Sequence, residues 1–255
     1  MIPNYEDFKL GNAQVNKIYL GDELIWEKVA PEPSYDVMPY MDGITNYYDC
    51  KIGLTTSTWE NQVDGGNDAT FVGMEIQADG AAGVMGTGES YGKFVSEYTQ
   101  NRTIYAVFRA PILGFVNSNR HVLGSCGGNI NYFRTGAWFS ISIDGYVGYD
   151  HITTDQWSIG AGSQINCADY HVVSVTRSGS TNTLYIDGAL IGTLSNSVVC
   201  SDNWGIGVLI DGLDQIGTGA SSLQRIKMIA VGNVAHAADQ VARNCEWLRS
   251  YYGLD

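Results

Sequence analysis

"YHVVSVTRSGSTNTLYIDGALIGTL", residues 170–194, holds three short runs rich in β-branched and aromatic residues, split by the turn pairs Ser178-Gly179 and Asp187-Gly188. Gly and Asp tolerate the positive φ angles that two-residue hairpin turns require, so the stretch predicts three antiparallel strands in succession. The pattern recurs outward. "DATFVGMEI" (68–76), "RTIYAVFRA" (102–110), "WGIGVLI" (204–210) and "LQRIKMIAVGN" (223–233) read as further strands. "GAWFSISIDGYVGYD" (136–150) alternates Trp138, Ser140 and Ser142 against Phe139, Ile141 and Ile143, then turns at Asp144-Gly145. One segment reads as helix, "AADQVARNCEWLRSYYG" (237–253): Val241, Cys245 and Leu248 share a face, and Gly253 sits where a C-cap belongs. Sparse charge (16%) with 31 Gly and 16 Tyr in 255 residues suits strands and turns better than helices. The fold class is all-β, a sandwich or barrel.

A net charge of −13 argues against phosphate backbones and anionic membranes as partners. The acidity reads first as solubility, with divalent-cation binding as the alternative. Cys50, Cys126, Cys167, Cys200 and Cys245 are widely spaced and odd in number, with no C-x-x-C, so they read as buried thiols in a chain that folds in a reducing cytosol. "MIPNYEDFKLGN" lacks the basic start and apolar core of a signal peptide, and no run of 18 apolar residues suggests a membrane span. Export by an N-terminal signal is therefore not expected.

Residues 15–28, "VNKIYLGDELIWEK", read as a hairpin around Gly21-Asp22, with Leu20 facing Glu23, Tyr19 facing Leu24, Ile18 facing Ile25 and Lys17 facing Trp26. Both faces carry apolar bulk (Ile18, Leu20 and Ile25; Tyr19, Leu24 and Trp26), more than a lone hairpin can bury. The expected organisation is an attachment hairpin (1–28), a proline-rich arm with Pro31, Pro33 and Pro39 (29–39), and a main domain (40–255).

Four stretches in order resemble the laminin-G-like, concanavalin-A-like jelly-roll superfamily: "TSTWENQVDGGNDAT" (56–70), the 170–194 meander, "IGTG" (216–219) leading into "IKMIAVGN", and "AADQVARNCEWLRSYYGL". Tyr170 stands where Trp is usual, and Gln62-Val63-Asp64 replaces the expected Ser-Gly-Asn spacing. The resemblance implies a two-sheet antiparallel jelly roll with a closing C-terminal helix. Separately, "NAQVNKIYLGDELIW" resembles a short module found near the ends of phage tail and fibre proteins.

Some jelly-roll relatives are glycoside hydrolases whose Glu-x-Asp-x-x-Glu aims several acids from one strand into a cleft. No such triplet occurs here; Glu75 and Asp79 are the nearest pair, and Asp79-Gly80 reads as a turn. "GSCGG" (124–128) offers Ser125 and Cys126 but reads as a glycine-rich loop at a sandwich edge. His121, His151, His171 and His236 show no metal-ligand spacing, and His171 reads as a sheet residue. Asn101-Arg102-Thr103 matches a glycosylation acceptor by chance. No catalytic residues and no cofactor are expected, so the chain reads as no enzyme. Calcium, held in many relatives of the resemblance, would draw on Asn61, Asp64, Asn67 and Asp68 together with Asp211 and Asp214. Ligand-binding candidates are the aromatics in or near predicted loops: Trp59, Trp138, Tyr146, Tyr149, Trp157 and Trp204.

These readings converge on a virion structural protein, a phage fibre, tail or capsid-decoration subunit made in the host cytoplasm. Its hairpin would dock on other virion proteins or sister subunits, and its jelly roll would face a host-surface glycan. It would be oligomeric, with neither nucleic-acid nor membrane partners. The alternative is a secreted bacterial carbohydrate-binding module or glycoside hydrolase of the same fold.

Overall fold

The structure, a computed structural model, describes residues 38–84, 90–109, 168–195, 201–210 and 224–254, with backbone strands outside these spans. The chain divides into two compact units, Met1–Val37 and Met38–Asp255. In the first unit Phe8–Leu10 pairs with Ala13–Val15, and Lys17–Leu20 pairs with Glu23–Glu27. The second pair is the expected hairpin, with Leu20 opposite Glu23 and Tyr19 opposite Leu24. Beyond that, the expected register is corrected: Ile25 is an extra residue, so Ile18 meets Trp26 and Lys17 meets Glu27.

The second unit is the expected β-sandwich of two antiparallel sheets with a short C-terminal helix. The first sheet runs Val147–Thr153, Thr135–Ile141, Arg120–Cys126, Asn203–Ile206, Tyr91–Val95, Ala69–Val72, Thr58–Trp59. The second runs Ala189–Ser195, Thr181–Ile186, His171–Ser178, Arg102–Arg109, Gln224–Gly232, Ala82–Val84, Glu75–Ile76, and Ile44–Asp49 also pairs with Gln224–Gly232. The 170–194 meander forms as read, its second turn carrying φ 50° at Asp187 and 81° at Gly188, the left-handed pair that Asp-Gly supplies. Asp187 Oδ1 also accepts the Val172 N–H at 2.9 Å, which ties the turn to the strand before it.

A second expectation is corrected. Gly124, Ser125 and Cys126 do not form an edge loop; they lie within the strand Arg120–Cys126, with Gly124 and Ser125 paired on both sides and Cys126 paired with Gly136. Gly124 lies opposite Gly205, where a Cβ would stand 2.4 Å from the Val208 carbonyl oxygen, so glycine here permits close packing rather than a turn. Ser125 is buried, its Oγ 2.9 Å from the Ser201 carbonyl oxygen.

Core packing follows strand alternation. Between the sheets lie Ile104, Ala106, Phe108, Val173, Val175, Leu184 and Ile186 of the second sheet, against Phe71, Phe94, Leu123, Trp204 and Ile206 of the first. The aromatic rings form a chain: Tyr48 to Phe94 at 5.3 Å, Tyr48 to Trp59 at 5.8 Å, Trp59 to Phe71 at 6.0 Å and Phe94 to Trp204 at 6.2 Å. The outer face of the second sheet is also apolar, because the helix Ala238–Tyr252 covers it: Tyr105, Val107, Val172, Met228 and Ala230 meet Val241, Cys245, Trp247, Leu248 and Tyr252. The helix stops at Gly253 in the left-handed conformation (φ 62°), whose N–H reaches the Ser250 carbonyl while Leu254 N–H reaches Arg249. The outermost strand of the second sheet, Ala189–Ser195, carries no charged residue, is 63% exposed at Leu190, and has Ile191 as an extra residue against Thr181–Ile186.

A polar node fastens the helix to the start of the unit. Buried Asn244 accepts the Tyr40 N–H at 2.9 Å and donates to the Tyr40 carbonyl at 3.0 Å and to Tyr105 Oη at 3.2 Å. Tyr105 Oη lies 2.9 Å from His236 Nδ1, and His236 Nε2 lies 2.9 Å from the Asp42 carbonyl oxygen, so a ring with its proton on Nε2 donates to Asp42 and accepts from Tyr105. Replacing Asn244 with Ala strands these buried partners and should lower unfolding free energy by roughly 2–4 kcal/mol, read as a lower urea midpoint.

Candidate functional site

The β-bulge that interrupts Gln224–Gly232 opposite Val107 and Phe108 leaves Lys227 as the extra residue. Without it, Ile226 and Met228 would face the same way; with it, Ile226 enters the core between the sheets and Met228 packs under the helix. Lys227 is half-buried, its Nζ 4.4 Å from the Tyr170 ring centroid and 5.8 Å from that of Tyr252. Arg109, at the end of its strand, pairs in register with Arg225 and sets its guanidinium 4.7 Å from the Tyr170 ring. Lys51 continues the row, 3.7 Å from the Tyr251 ring and 5.2 Å from that of Tyr252, and Tyr251 stacks on Trp247 at 4.6 Å. The outer face of the second sheet thus bears a ladder of alternating cations and aromatic rings: Arg109, Tyr170, Lys227, Tyr252, Lys51 and Tyr251.

Two carboxylates hold the phenols in place. Tyr170 donates to Asp79 Oδ2 at 2.7 Å, and Arg109 Nη2 reaches the same oxygen at 3.0 Å. Tyr252 donates to Asp49 Oδ1 and Tyr251 to Asp49 Oδ2, each at 2.8 Å. Burial pushes the Asp79 carboxyl up, but the Tyr170 hydroxyl, the Ala81 N–H and the charges of Arg109 and Lys227 together hold it below its ordinary value. Burial, and then Asp79, push the Tyr170 phenol up, so it stays a neutral donor. The Arg109–Asp79 pair is 26% and 29% exposed, so water screens it and it orients groups more than it stabilises the fold. Arg109 Nε and Arg225 Nε are buried with no hydrogen-bond acceptor among the described residues. The face presents donors along the half-buried rings of Tyr170 and Tyr251 and the buried ring of Tyr252, with Asp79 as an acceptor, in a chain that is otherwise strongly acidic.

A second polar cluster lies at the turn of the meander. His171 Nδ1 is 2.7 Å from Asp187 Oδ2, and Arg249 Nη1 is 3.3 Å from Asp187 Oδ1. Burial raises the Asp187 carboxyl, but the His171 and Val172 hydrogen bonds and the charges of His171 and Arg249 bring it below its ordinary value. Nearby Cys245 is pushed up to about 11 by burial, and Cys50 to about 11 by burial and then Asp49. Both are free thiols unsuited to nucleophilic roles at neutral pH.

The sequence-predicted site residues scatter. Trp59 and Trp204 are 0% and 1% exposed, and their reading as ligand-stacking aromatics is corrected: their rings build the core between the sheets. Trp138 and Tyr149 lie in strands, Trp138 opposite Gly124 and Asp150 and Tyr149 opposite Phe139, while Tyr146 and Trp157 lie outside the described residues. Among the calcium candidates, Asn61 does not fit a ligand role. Its Oδ1 accepts the Tyr47 and Val63 N–H groups (3.0 Å each), and its Nδ2 donates to the Thr45 and Asn67 carbonyls (3.3 Å each). Asp68 Oδ1 accepts the Asn61 N–H at 2.9 Å; Asp64 is exposed, and Asp211 and Asp214 lie outside the described residues. Among the described residues no three His, Cys, Asp or Glu are grouped to hold a metal ion. Side chains of Ile18, Tyr19, Leu20, Leu24, Ile25 and Trp26 likewise lie outside the description.

No family model matches the chain, and no curated protein matches it in sequence. Its fold is shared with solved structures. Trypanosoma rangeli sialidase is 14% identical with a TM-score of 0.62, over 84% of this chain and 34% of the sialidase, and a sialidase structure with sialic acid gives the same values. The receptor-binding domain of botulinum neurotoxin type G is 12% identical with a TM-score of 0.58, over 81% of this chain and 51% of that one. The chain spans about a third of the sialidase and half of the toxin domain. The jelly-roll resemblance is thus supported as a fold, without a laminin-G or phage family. The reading as no enzyme is corrected: this fold occurs within an enzyme chain, so the missing Glu-x-Asp-x-x-Glu does not exclude catalysis.

The depressed Asp187 carboxyl carries a pH dependence. Its contribution is complete above the ordinary Asp value near 3.9 and is lost as pH falls through the lower folded-state value. Urea unfolding of wild type should therefore weaken steeply below about pH 4, and Asp187→Asn should flatten that slope while lowering stability at neutral pH.

Proposed function

We propose that the sandwich is a glycan-binding domain whose contact surface is the cation–aromatic face around Tyr170. The observation that carries this reading is the half-buried Tyr170, set among the donors Arg109 and Lys227 and the acceptor Asp79. Sugars offer C–H faces to aromatic rings and hydroxyls to such mixed donors and acceptors. Proteins of similar fold lend support: a sialidase, one structure of it with sialic acid, and a toxin receptor-binding domain. The four cations Lys51, Arg109, Arg225 and Lys227 favour an acidic sugar at this face of a chain of net charge −13. In this reading Met1–Val37 contains the attachment element of a virion fibre, tail or decoration subunit, and many copies raise weak single-site binding by avidity. A secreted carbohydrate-binding module or glycoside hydrolase is the second reading, favoured by the sialidase likeness.

Glycan-array binding with neutral and acidic sugars tests the proposal. Wild type should bind acidic glycans, and Tyr170→Phe and Lys227→Ala should each weaken binding by about tenfold with unchanged circular dichroism. Variants that bind like wild type would place the surface elsewhere, and release of sugar from the array would favour the hydrolase.

A further inference from the structure

At the other end of the strand Arg102–Arg109, a second pair of arginines meets, this time inside the protein. Arg102 lies opposite Arg177 in register, 2% and 3% exposed respectively. Alternation with Ile104 and with Val175 turns both toward the space between the sheets. There the Arg102 guanidinium carbon stands 4.4 Å from the Tyr98 ring centroid and 5.2 Å from that of Trp204 on the facing sheet. Arg177 lies 5.8 Å from the same Tyr98 ring and donates Nε–H to the Gly179 carbonyl at 2.8 Å.

Among the described residues, three donors of this cluster have no hydrogen-bond acceptor: Arg102 Nε, Arg102 Nη1 and Trp204 Nε1. Among the described residues no carboxylate pairs with Arg102. Asp202 directs its Oδ1 to the Tyr98 N–H at 2.6 Å instead, which pins the backbone of the aromatic cover. A guanidinium taken out of water without a counter-charge is strongly unfavourable, and aromatic faces offset only part of that loss.

We propose that the cluster of Arg102, Arg177, Trp204 and Tyr98 binds a small anion, a halide or a carboxylate group, which accepts from the Arg102 and Trp204 donors. The site is independent of the sugar-binding face, since it opens on the inner side of the sheet and at the opposite end of the strand. Half-buried Tyr98 is the wall that reaches solvent. Bound anion would join the two sheets beside the core ring of Trp204.

Chlorine-35 NMR of the full chain tests this, with the excess chloride linewidth measured per mole of protein. Wild type should show saturable broadening, absent in Arg102→Met and retained in Arg243→Ala, which removes an exposed helix cation. Trp204→Phe keeps an aromatic ring and should weaken chloride by about tenfold, the loss of one hydrogen bond to a charged group, so the test survives if Arg102→Met fails to fold. Acetate that displaces chloride extends the site to carboxylates; chloride that resists acetate restricts it to halides. Equal broadening in wild type and the folded Arg102 or Trp204 variants, or none in wild type, overturns the proposal.

Discussion

The pairing of Arg102–Arg109 with Gln224–Gly232 is the constraint on which the sandwich depends. Antiparallel sheets commonly bury one face and wet the other, which gives alternating polarity along a strand. Here seven of eight positions of Arg102–Arg109 are buried, because the facing sheet covers one side and the C-terminal helix the other. The helix is consequently part of the core: removing it would expose Tyr105, Val107, Met228 and Ala230 together. The Asn244, Tyr105 and His236 node lies at that same layer and aligns helix and sheet with directional bonds that apolar packing alone does not supply.

The bulge at Lys227 links this constraint to the candidate site. A strand packed on both faces has no room for a lysine, and the extra residue resolves the conflict by turning the ammonium toward Tyr170 and Tyr252. The two arginine pairs of the central strand differ for the same geometric reason. Positions 102 and 109 differ by an odd number of steps along the strand, so one points between the sheets and the other outward. One strand therefore carries an enclosed cationic end and a partly exposed one.

What was legible in the sequence was local. The turns at Ser178-Gly179 and Asp187-Gly188, the helix with its Gly253 cap, and most strands are specified by residues a few positions apart. The environment of an aromatic residue is not local. Trp59 looks like a loop tryptophan beside polar neighbours, yet its ring is enclosed by Tyr48 and Phe71 from distant segments. "GSCGG" looked like a loop because glycine serves both turns and close strand packing, and only the Gly124–Gly205 pairing distinguishes them. The ladder draws on residues 49–51, 79, 109, 170, 225–227 and 251–252, which no local pattern joins, although basic residues beside apolar strands in an acidic chain, and the Tyr251-Tyr252 pair closing the helix, are signals that point to it.

The bulged outer strand Ala189–Ser195 has a consequence for how the chain survives its own synthesis. Among the described strands this sheet margin has no outer partner, and a margin without lysine, proline or any charge is a template for another copy's strand, which exposed Leu190 makes adhesive. The extra Ile191 breaks the even spacing of N–H and C=O groups along that margin, so an incoming straight strand can match only a few residues before its register fails. Self-recognition is thus frustrated by backbone shape, and the strand keeps Ile191 and Leu194 for packing against the core.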